Sequence, residues 1–208
     1  MNLLWFLMLV AFALQPTHMA GNANNVLRDA DGSEGMRYWQ TYGNATIEQV
    51  DGNPCFVVRR GGSFSQTVSI SEGNENLYAV FIARVLSEYV HPDGAITDRP
   101  TLYGLAFGEY PRISGYLQGM IGKAERPQEW ETVYGIFHLP YATTRIDFQL
   151  GQGSRKGVPY SGAAARFDDL ALFVVTDESA ARAIAARRVT DDGIRVTPVT
   201  YPVKRPPR

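Results

Sequence analysis

The sequence has very few of the residues that build disulfide bonds and zinc sites. Its 208 residues include one cysteine, Cys55, and three histidines. A single cysteine cannot form a disulfide within the chain, and so few Cys and His residues argue against a structural zinc site. Stability must therefore come from a hydrophobic core or from a metal of another kind.

An excess of charge of either sign is also absent. The chain has 20 Lys and Arg residues against 21 Asp and Glu residues, which gives a net charge of -1. Nucleic-acid-binding domains generally carry a basic surface that neutralises phosphates. We therefore expect no nucleic-acid partner.

The motifs of common enzyme classes are missing as well. There is no Gly-x-Ser-x-Gly elbow, phosphate-binding loop or paired-histidine metal motif. Glu129, Glu131 and Asp147 are candidates for the paired carboxylates of a glycoside hydrolase, but strand carboxylates more often lie on a solvated face. We predict that the chain is not an enzyme, with a glycoside hydrolase as the less favoured alternative.

No apolar run is long enough for an ordinary membrane-spanning helix. Leu3 to Leu14 is apolar over about a dozen residues, the length of a signal-peptide core and short of the roughly 20 needed to cross a bilayer. Small residues that permit cleavage follow, up to Ala23. We predict a signal peptide over residues 1–23 and a secreted or periplasmic protein without a transmembrane segment after cleavage. Because no Lys or Arg precedes the run, an uncleaved anchor stays an alternative.

Turn-forming residues and short apolar stretches are plentiful. The chain contains 20 Gly and 12 Pro, and short strand-like stretches separated by turns are typical of an antiparallel sandwich. Asp51-Gly52 predicts a hairpin turn, and Gly61-Gly62 predicts a second turn. We predict an all-β sandwich over residues 24–176 with these strands: Val26–Arg28, Thr46–Val50, Cys55–Arg59, Phe64–Ile70, Leu77–Leu86, Thr101–Phe107, Gly115–Ile121, Trp130–Leu139, Arg145–Leu150 and Arg166–Val175.

The last 32 positions, residues 177–208, have a different character. Ser179 to Arg188 is rich in Ala and Arg and favours a helix, for which Thr176 or Asp177 can provide the N-cap. Four prolines and several basic residues follow. We predict a short helix and then an extended basic tail.

Two adjacent aspartates interrupt the last predicted strand. In a regular strand Asp168 shares a face with Leu170 and Leu172, while Asp169 lies on the other face. An unpaired carboxylate at the edge of a dry face is costly. Asp168 therefore needs backbone N–H donors, a cation, or a metal such as structural calcium.

These residues resemble those of carbohydrate-binding modules of the galactose-binding-like jelly-roll superfamily. Such modules open with an Asn-Leu strand and an acidic, Gly-rich loop, have a tryptophan shortly afterwards, and close with an Asp-Asp-hydrophobic-x-Leu strand. The matching stretches here are Asn25 to Leu27, Asp29 to Gly35, Trp39 and Phe167 to Leu172. The resemblance implies the jelly-roll sandwich and covers about Asn25 to Val175.

The opening is similar also to the sugar-recognition domain of F-box proteins. Asn25 to Arg28 and Trp39 match its first strand and its tryptophan. The glycan loop of that domain is rich in aromatic residues, whereas here Tyr160 is followed by Ala163 to Ala165. An exported chain cannot be a ubiquitin-ligase subunit, so this second resemblance concerns the fold.

The resemblance to carbohydrate-binding modules implies two sites. A structural calcium would tie the first loop to the last strand through Asp168 with Asp31 or Glu34, together with backbone carbonyls. Sugar rings would stack on exposed aromatic rings, and the predicted stacking residues are Tyr160, Tyr110, Trp130 and Tyr116, from a wider set that includes Tyr103 and Tyr134.

We therefore predict an exported, non-catalytic protein that binds a polysaccharide or glycan and holds a structural calcium. The alternative from another class is a structural or protein-interaction sandwich without a sugar site.

Overall fold

The computed structural model describes residues 24–70, 77–108, 119–120, 127–139, 143–189 and 194–195. The predicted signal peptide and the predicted stacking residues Tyr110 and Tyr116 lie outside this range. Within it, no helix is long and apolar enough to span a membrane.

The described residues form nine strands and one helix. Their bounds are β1 Gln40–Val50, β2 Asn53–Ser69, β3 Tyr78–Ser87, β4 Pro100–Gly108, β5 Gly119–Met120, β6 Trp130–His138, β7 Thr143–Gln152, β8 Ala165–Val175, α1 Glu178–Arg188 and β9 Ile194–Arg195. Except for the parallel β6–β9 pair, neighbouring strands are antiparallel. The predicted all-β fold with a short C-terminal helix is confirmed.

The predicted hairpin between β1 and β2 is confirmed. Asp51 and Gly52 have φ angles of 52° and 84°, as a two-residue turn with the right-handed twist of the flanking strands requires. The two strands pair from Val50 and Asn53 outward.

The predicted turn at Gly61-Gly62 is wrong, because β2 continues through it as one kinked strand. Its first part pairs with β8 at Phe56 to Val58, and its last part pairs with β7 at Ser63 to Ser69. The kink uses left-handed backbone at Arg60 and Gly61. At Gly62 a side chain would collide with the Asn44 backbone of β1, so glycine permits a close approach of two strands here.

The kink lets β2 join two layers of strands. The β7 layer consists of the start of β1, the end of β2, and β7, β4 and β5 in that order. The β8 layer consists of the rest of β1, the start of β2, and β8, β3, β6 and β9. The predicted sandwich is thus one sheet folded over at β2.

An aromatic cluster fills the space between the layers. The Trp39 ring centroid lies 4.8 Å from that of Phe56 and 6.1 Å from that of Phe148. Phe148 stacks on Phe81 of the opposite layer at 5.7 Å. These side chains are almost fully buried, so aromatic burial and ring contacts hold the two layers together.

The predicted division of β8 into two regular faces is wrong, because a β-bulge lies at the two aspartates. The pairing register with β3 shifts between Ile82 and Arg84, and Asp169 has a φ of 49°. Phe167 and Leu170 consequently both point into the core. The bulge accommodates the two residues between them, Asp168 and Asp169. Asp168 therefore does not share a face with Leu170.

The predicted helix is confirmed and lies on the outer face of the β8 layer. Asp177 caps it by accepting a hydrogen bond from the Ala180 N–H at 2.7 Å. Ile184 and neighbouring alanines pack against Ile82 and Phe173. The helix thus covers part of one layer and leaves the β7 layer without a covering helix among the described residues.

The short first strand predicted at Val26–Arg28 does not form. The Asn25 side chain instead donates to Leu170 O and accepts from Leu172 N–H, both at 2.9 Å. The Val26 N–H donates to Leu172 O. One amide side chain therefore ties the start of the described chain to β8.

Candidate functional site

The outer face of the β7 layer combines a row of polar side chains with the exposed ring of Tyr42 and the partly exposed rings of Tyr103 and Phe107. Because Phe64, Phe148 and their alternate neighbours point into the core, the residues between them point outward. We call this surface the β7 face, and its members are Gln40, Tyr42, Ser63, Ser65, Thr67, Ser69, Tyr103, Leu105, Phe107, Arg145, Asp147 and Gln149.

Two tyrosines flank the middle of the β7 face. Tyr42 of β1 is 76% exposed and lies opposite Ser63. Tyr103 of β4 is partly exposed and lies opposite Gln149. Three strand spacings separate β1 from β4, so the two strands lie roughly 14 Å apart across the layer. Hydroxyl and amide groups of β2 and β7 occupy the space between them.

The other end of the face carries the charged residues. The Thr67 hydroxyl donates to Asp147 Oδ1 at 2.8 Å. The Arg145 guanidinium lies over the Phe107 ring, 4.1 Å from its centroid. This end therefore presents a carboxylate and a guanidinium beside the hydroxyl row.

An open cavity of about 620 Å³ adjoins the face along the edge of β2. Arg28 and Tyr38 line one side of it, and the Ser65–Ser69 segment lines the other. The Gln66 side chain fixes Arg28 by accepting from its N–H at 2.7 Å and donating to its carbonyl at 2.8 Å. The cavity extends the polar surface past the point where β1 begins.

Neither of the described predicted stacking residues is a member of the β7 face as defined above. Tyr160 lies over Gly61 at the kink of β2. Trp130 is partly buried on the other layer, packs beside Cys55, and carries the Arg84 guanidinium at 5.1 Å from its ring. Tyr160 and Trp130 stay predictions as stacking residues.

Sequence reasoning missed Tyr42 altogether. The one available signal was the alternation of Gln40 and Tyr42 ahead of Gly43, which places both side chains on one side of a strand. The alternation does not show whether the side of the strand that bears Gln40 and Tyr42 faces solvent, because this depends on which layer the helix covers.

A second cavity, of about 560 Å³, separates the first loop from β8 and the end of α1. Asp31 and Asp169 both line it, as do Arg84 and Arg188. The Asp31 carboxylate accepts from the Ser33 N–H at 3.2 Å, and this hydrogen bond lowers its pKa. The bulge therefore brings Asp169 to the cavity that Asp31 also lines.

The other predicted calcium ligands have different surroundings. Asp168 accepts from the Asp169 N–H at 2.8 Å, and Glu34 pairs with Arg37 at 3.1 Å. Among the residues that the structure describes, no three Asp, Glu, His or Cys side chains form a group suited to a metal. Asp29 Oδ2, in the first loop, is buried without a hydrogen-bond partner.

A charge network occupies part of the outer face of the β8 layer. Glu48 binds Arg59 at 2.5 Å, and hydrogen bonds from that guanidinium hold the pKa of the Glu48 carboxyl below its usual range. Glu88 binds Arg166 at 2.6 Å. Burial raises the pKa of Glu88, but the N–H of Ala164 and the Arg166 guanidinium outweigh it, so the net shift is downward.

Cys55, the lone cysteine, is buried beside this network. Burial raises the pKa of its thiol to about 11, so it is protonated at neutral pH. A buried thiol of this kind packs as a small apolar group.

Two of the carboxylates proposed for a hydrolase, Glu131 and Asp147, do not face each other. Glu131 is buried on the side of β6 that also bears the core residue Val133. Asp147 lies on the outer face of β7. These two carboxylates belong to different surfaces, so they do not form the facing pair that glycoside hydrolysis needs.

The fold is similar to solved structures of carbohydrate-binding modules. Family 16 Carbohydrate Binding Module-2 covers 71% of this chain and 99% of its own, with 15% identity and a TM-score of 0.52. The CBM22-1 xylan-binding domain from Paenibacillus barcinonensis Xyn10C covers 74% and 97%, with 11% identity and a TM-score of 0.48. TmCBM61 in complex with beta-1,4-galactotriose covers 74% and 100%, with 12% identity and a TM-score of 0.42.

No protein-family model and no curated protein matches the sequence. At these identities the likeness to solved structures concerns the fold. The predicted resemblance to carbohydrate-binding modules is thus confirmed at that level, and the chain has the jelly-roll β-sandwich of such modules.

Proposed function

We propose that the protein is a non-catalytic glycan-binding module and that the β7 face binds the saccharide. The observation that carries the proposal is the 76% exposure of Tyr42 on a polar face that also holds Tyr103. The Tyr42 ring lies beside hydrogen-bonding groups on the same face, which is the combination of apolar ring and polar neighbours that a saccharide can use.

The chemistry of the face suits pyranose rings. Tyr42 and Tyr103 can pack against the C–H faces of two sugars, since ring burial supplies the apolar part of the binding energy. Ser63, Ser65 and Gln149 between them offer hydroxyl and amide groups to the sugar hydroxyls. The spacing of roughly 14 Å between the tyrosine-bearing strands fits an oligosaccharide rather than a single sugar.

The test begins with a glycan array of the wild-type protein, run with and without calcium, followed by titration of the best saccharide. We expect Tyr42→Ala and Tyr103→Ala each to weaken binding by about tenfold or more, equivalent to about 1.4 kcal/mol. Thermal melting should change little for Tyr42→Ala because the ring is exposed.

Two further variants distinguish this site from the one predicted by the sequence. Tyr160→Ala and Trp130→Ala remove aromatic rings that are not members of the β7 face, one over Gly61 and one on the other layer, so we expect these variants to bind the saccharide like the wild type once they are folded. If these two lose binding while the β7-face variants keep it, the platform is at Tyr160 and Trp130.

We also propose that a structural calcium binds between the first loop and β8. Two observations support it: Asp31 and Asp169 line one cavity, and the first loop contains the buried, unpartnered Asp29 Oδ2. Carboxylate and backbone carbonyl oxygens are the usual ligands of calcium in proteins. In this proposal Asp169 replaces Asp168 as the ligand from the last strand.

Export stays part of the proposal. It is supported by the Leu3 to Leu14 run and the small residues that follow it. Mass spectrometry of the protein from its natural source should find a mature N-terminus between Leu14 and Asn24, since the first 13 to 23 residues would be removed. A soluble intracellular form that retains Met1 would contradict export.

The alternative is a structural or protein-interaction sandwich. The cavity beside Arg28 and Tyr38 favours it, because that cavity exposes the edge of β2 beyond the start of β1. A protein that binds no saccharide on the array but retains a partner protein would support this alternative.

A further inference from the structure

We propose that the β7 face selects acidic saccharides and that Arg145 binds their carboxylate or sulfate group. The inference rests on the proposed function and names the class of glycan. It follows from the surroundings of one guanidinium at the charged end of the face.

The Arg145 guanidinium is held in place by an aromatic ring. Its side chain is 50% exposed, and its guanidinium carbon lies 4.1 Å from the Phe107 ring centroid. Arg145 also lies opposite Ser69 and Phe107 in the strand pairing. Stacking on a ring orients the guanidinium while its polar edge stays open, which lowers the entropic cost of binding a ligand.

Among the residues that the structure describes, none accepts a hydrogen bond from the Arg145 guanidinium. Its one carboxylate neighbour among the described residues is Asp147, whose Oδ1 lies 3.8 Å from Arg145 Nε, beyond hydrogen-bond distance. That oxygen already accepts a hydrogen bond from Thr67. Within the described chain Arg145 therefore has no hydrogen-bond acceptor, and a planar fork of N–H donors faces solvent.

Several other arginines show the opposite arrangement. Arg59, Arg166 and Arg182 each bind a glutamate at 2.5–2.6 Å. Those guanidiniums are neutralised on the outer face of the β8 layer or on α1. Arg145 is the described arginine that is free of such a pair and also lies on the β7 face.

An oxyanion on a sugar is the ligand that this arrangement recognises. Carboxylate and sulfate accept two parallel hydrogen bonds from one guanidinium. The same saccharide can continue along the hydroxyl row toward Tyr103. Uronic acids and sulfated sugars share this chemistry, so the experiment has to separate them.

The experiment compares charged and neutral forms of the same polymers. Affinity electrophoresis and calorimetry would use polygalacturonate against its methyl ester, and a sulfated galactan against unsulfated galactan. We expect the wild-type protein to bind at least one charged polymer about tenfold more tightly than its neutral form, with the ratio falling as salt rises.

Variants assign the preference to Arg145. Arg145→Met should reduce the charged-to-neutral ratio to about one, and Asp147→Asn should raise it because a repelling carboxylate is removed. Arg182 is an exposed arginine on α1, so Arg182→Met is the matched control and should keep the wild-type ratio. A variant that folds less well would lose affinity for the charged and the neutral polymer alike, so the charged-to-neutral ratio would not change.

The outcomes separate this inference from the proposed function. If the wild type binds both forms equally, or if Arg145→Met keeps the preference, the inference is wrong while glycan binding stands. If the wild type binds none of the four polymers and no glycan on the array, both proposals are wrong.

Discussion

Replacing Trp39 by alanine should lower the free energy of unfolding by about 3–5 kcal/mol, the cost typical of removing a buried tryptophan. Trp39 is 5% exposed and contacts rings of both β2 and β7. Its indole N–H also donates to Asp29 O at 3.1 Å. The substitution would therefore leave a large cavity between the layers and release the first loop. Urea unfolding at unchanged m value is the measurement.

Two matched variants divide this effect into its parts. Trp39→Phe keeps most of the packing and removes the hydrogen bond to Asp29, so it should cost about 1 kcal/mol from the hydrogen bond plus a smaller cavity term. Met36→Ala, at a residue that is 40% exposed, should change stability by less than about 0.5 kcal/mol. A loss below about 1 kcal/mol for Trp39→Ala would show that the aromatic cluster is not the centre of the core.

Calcium should raise the melting temperature of the wild-type protein by roughly 5–10 °C over its value in chelator. A metal that binds only the folded state contributes about 2.7 kcal/mol at a hundredfold excess over its dissociation constant. For a domain of this size each kcal/mol is worth about 2–4 °C. Calorimetry in calcium and in chelator provides the measurement.

The two adjacent aspartates provide the control for the calcium site. Asp169→Ala should melt low and should not respond to chelator, because Asp169 lines the cavity that Asp31 shares. Asp168→Ala should keep the response. The reverse result would restore the ligand predicted from the sequence, and identical melting of the wild type in both solutions would mean that no calcium site exists.

The sequence predicted those parts of the fold that depend on local chemistry. The Asp51-Gly52 turn, the Asp177 cap and the alternation within β6 and β7 are determined by residues close together in the chain. In each case the backbone preference of a few residues agrees with the final structure.

The parts that the sequence did not predict depend on contacts between distant residues. Gly61-Gly62 has the composition of a turn, and only the approach of Asn44 shows that it is a kink within one strand. The bulge at Asp169 depends on the pairing of β8 with β3. Tyr42 is a site candidate only because the helix covers the other layer.

The kinked strand β2 also has a consequence for how the molecule folds and opens. Its pairing with β1 joins residues near in sequence, whereas its pairing with β7 and β8 joins residues that are far apart. Loop-closure entropy favours the near contacts first. The β1–β2 hairpin can therefore form first, and both layers can then assemble on it. Neither layer can open far without breaking hydrogen bonds to β2, because β2 belongs to both layers. The sandwich should consequently unfold as a single cooperative unit.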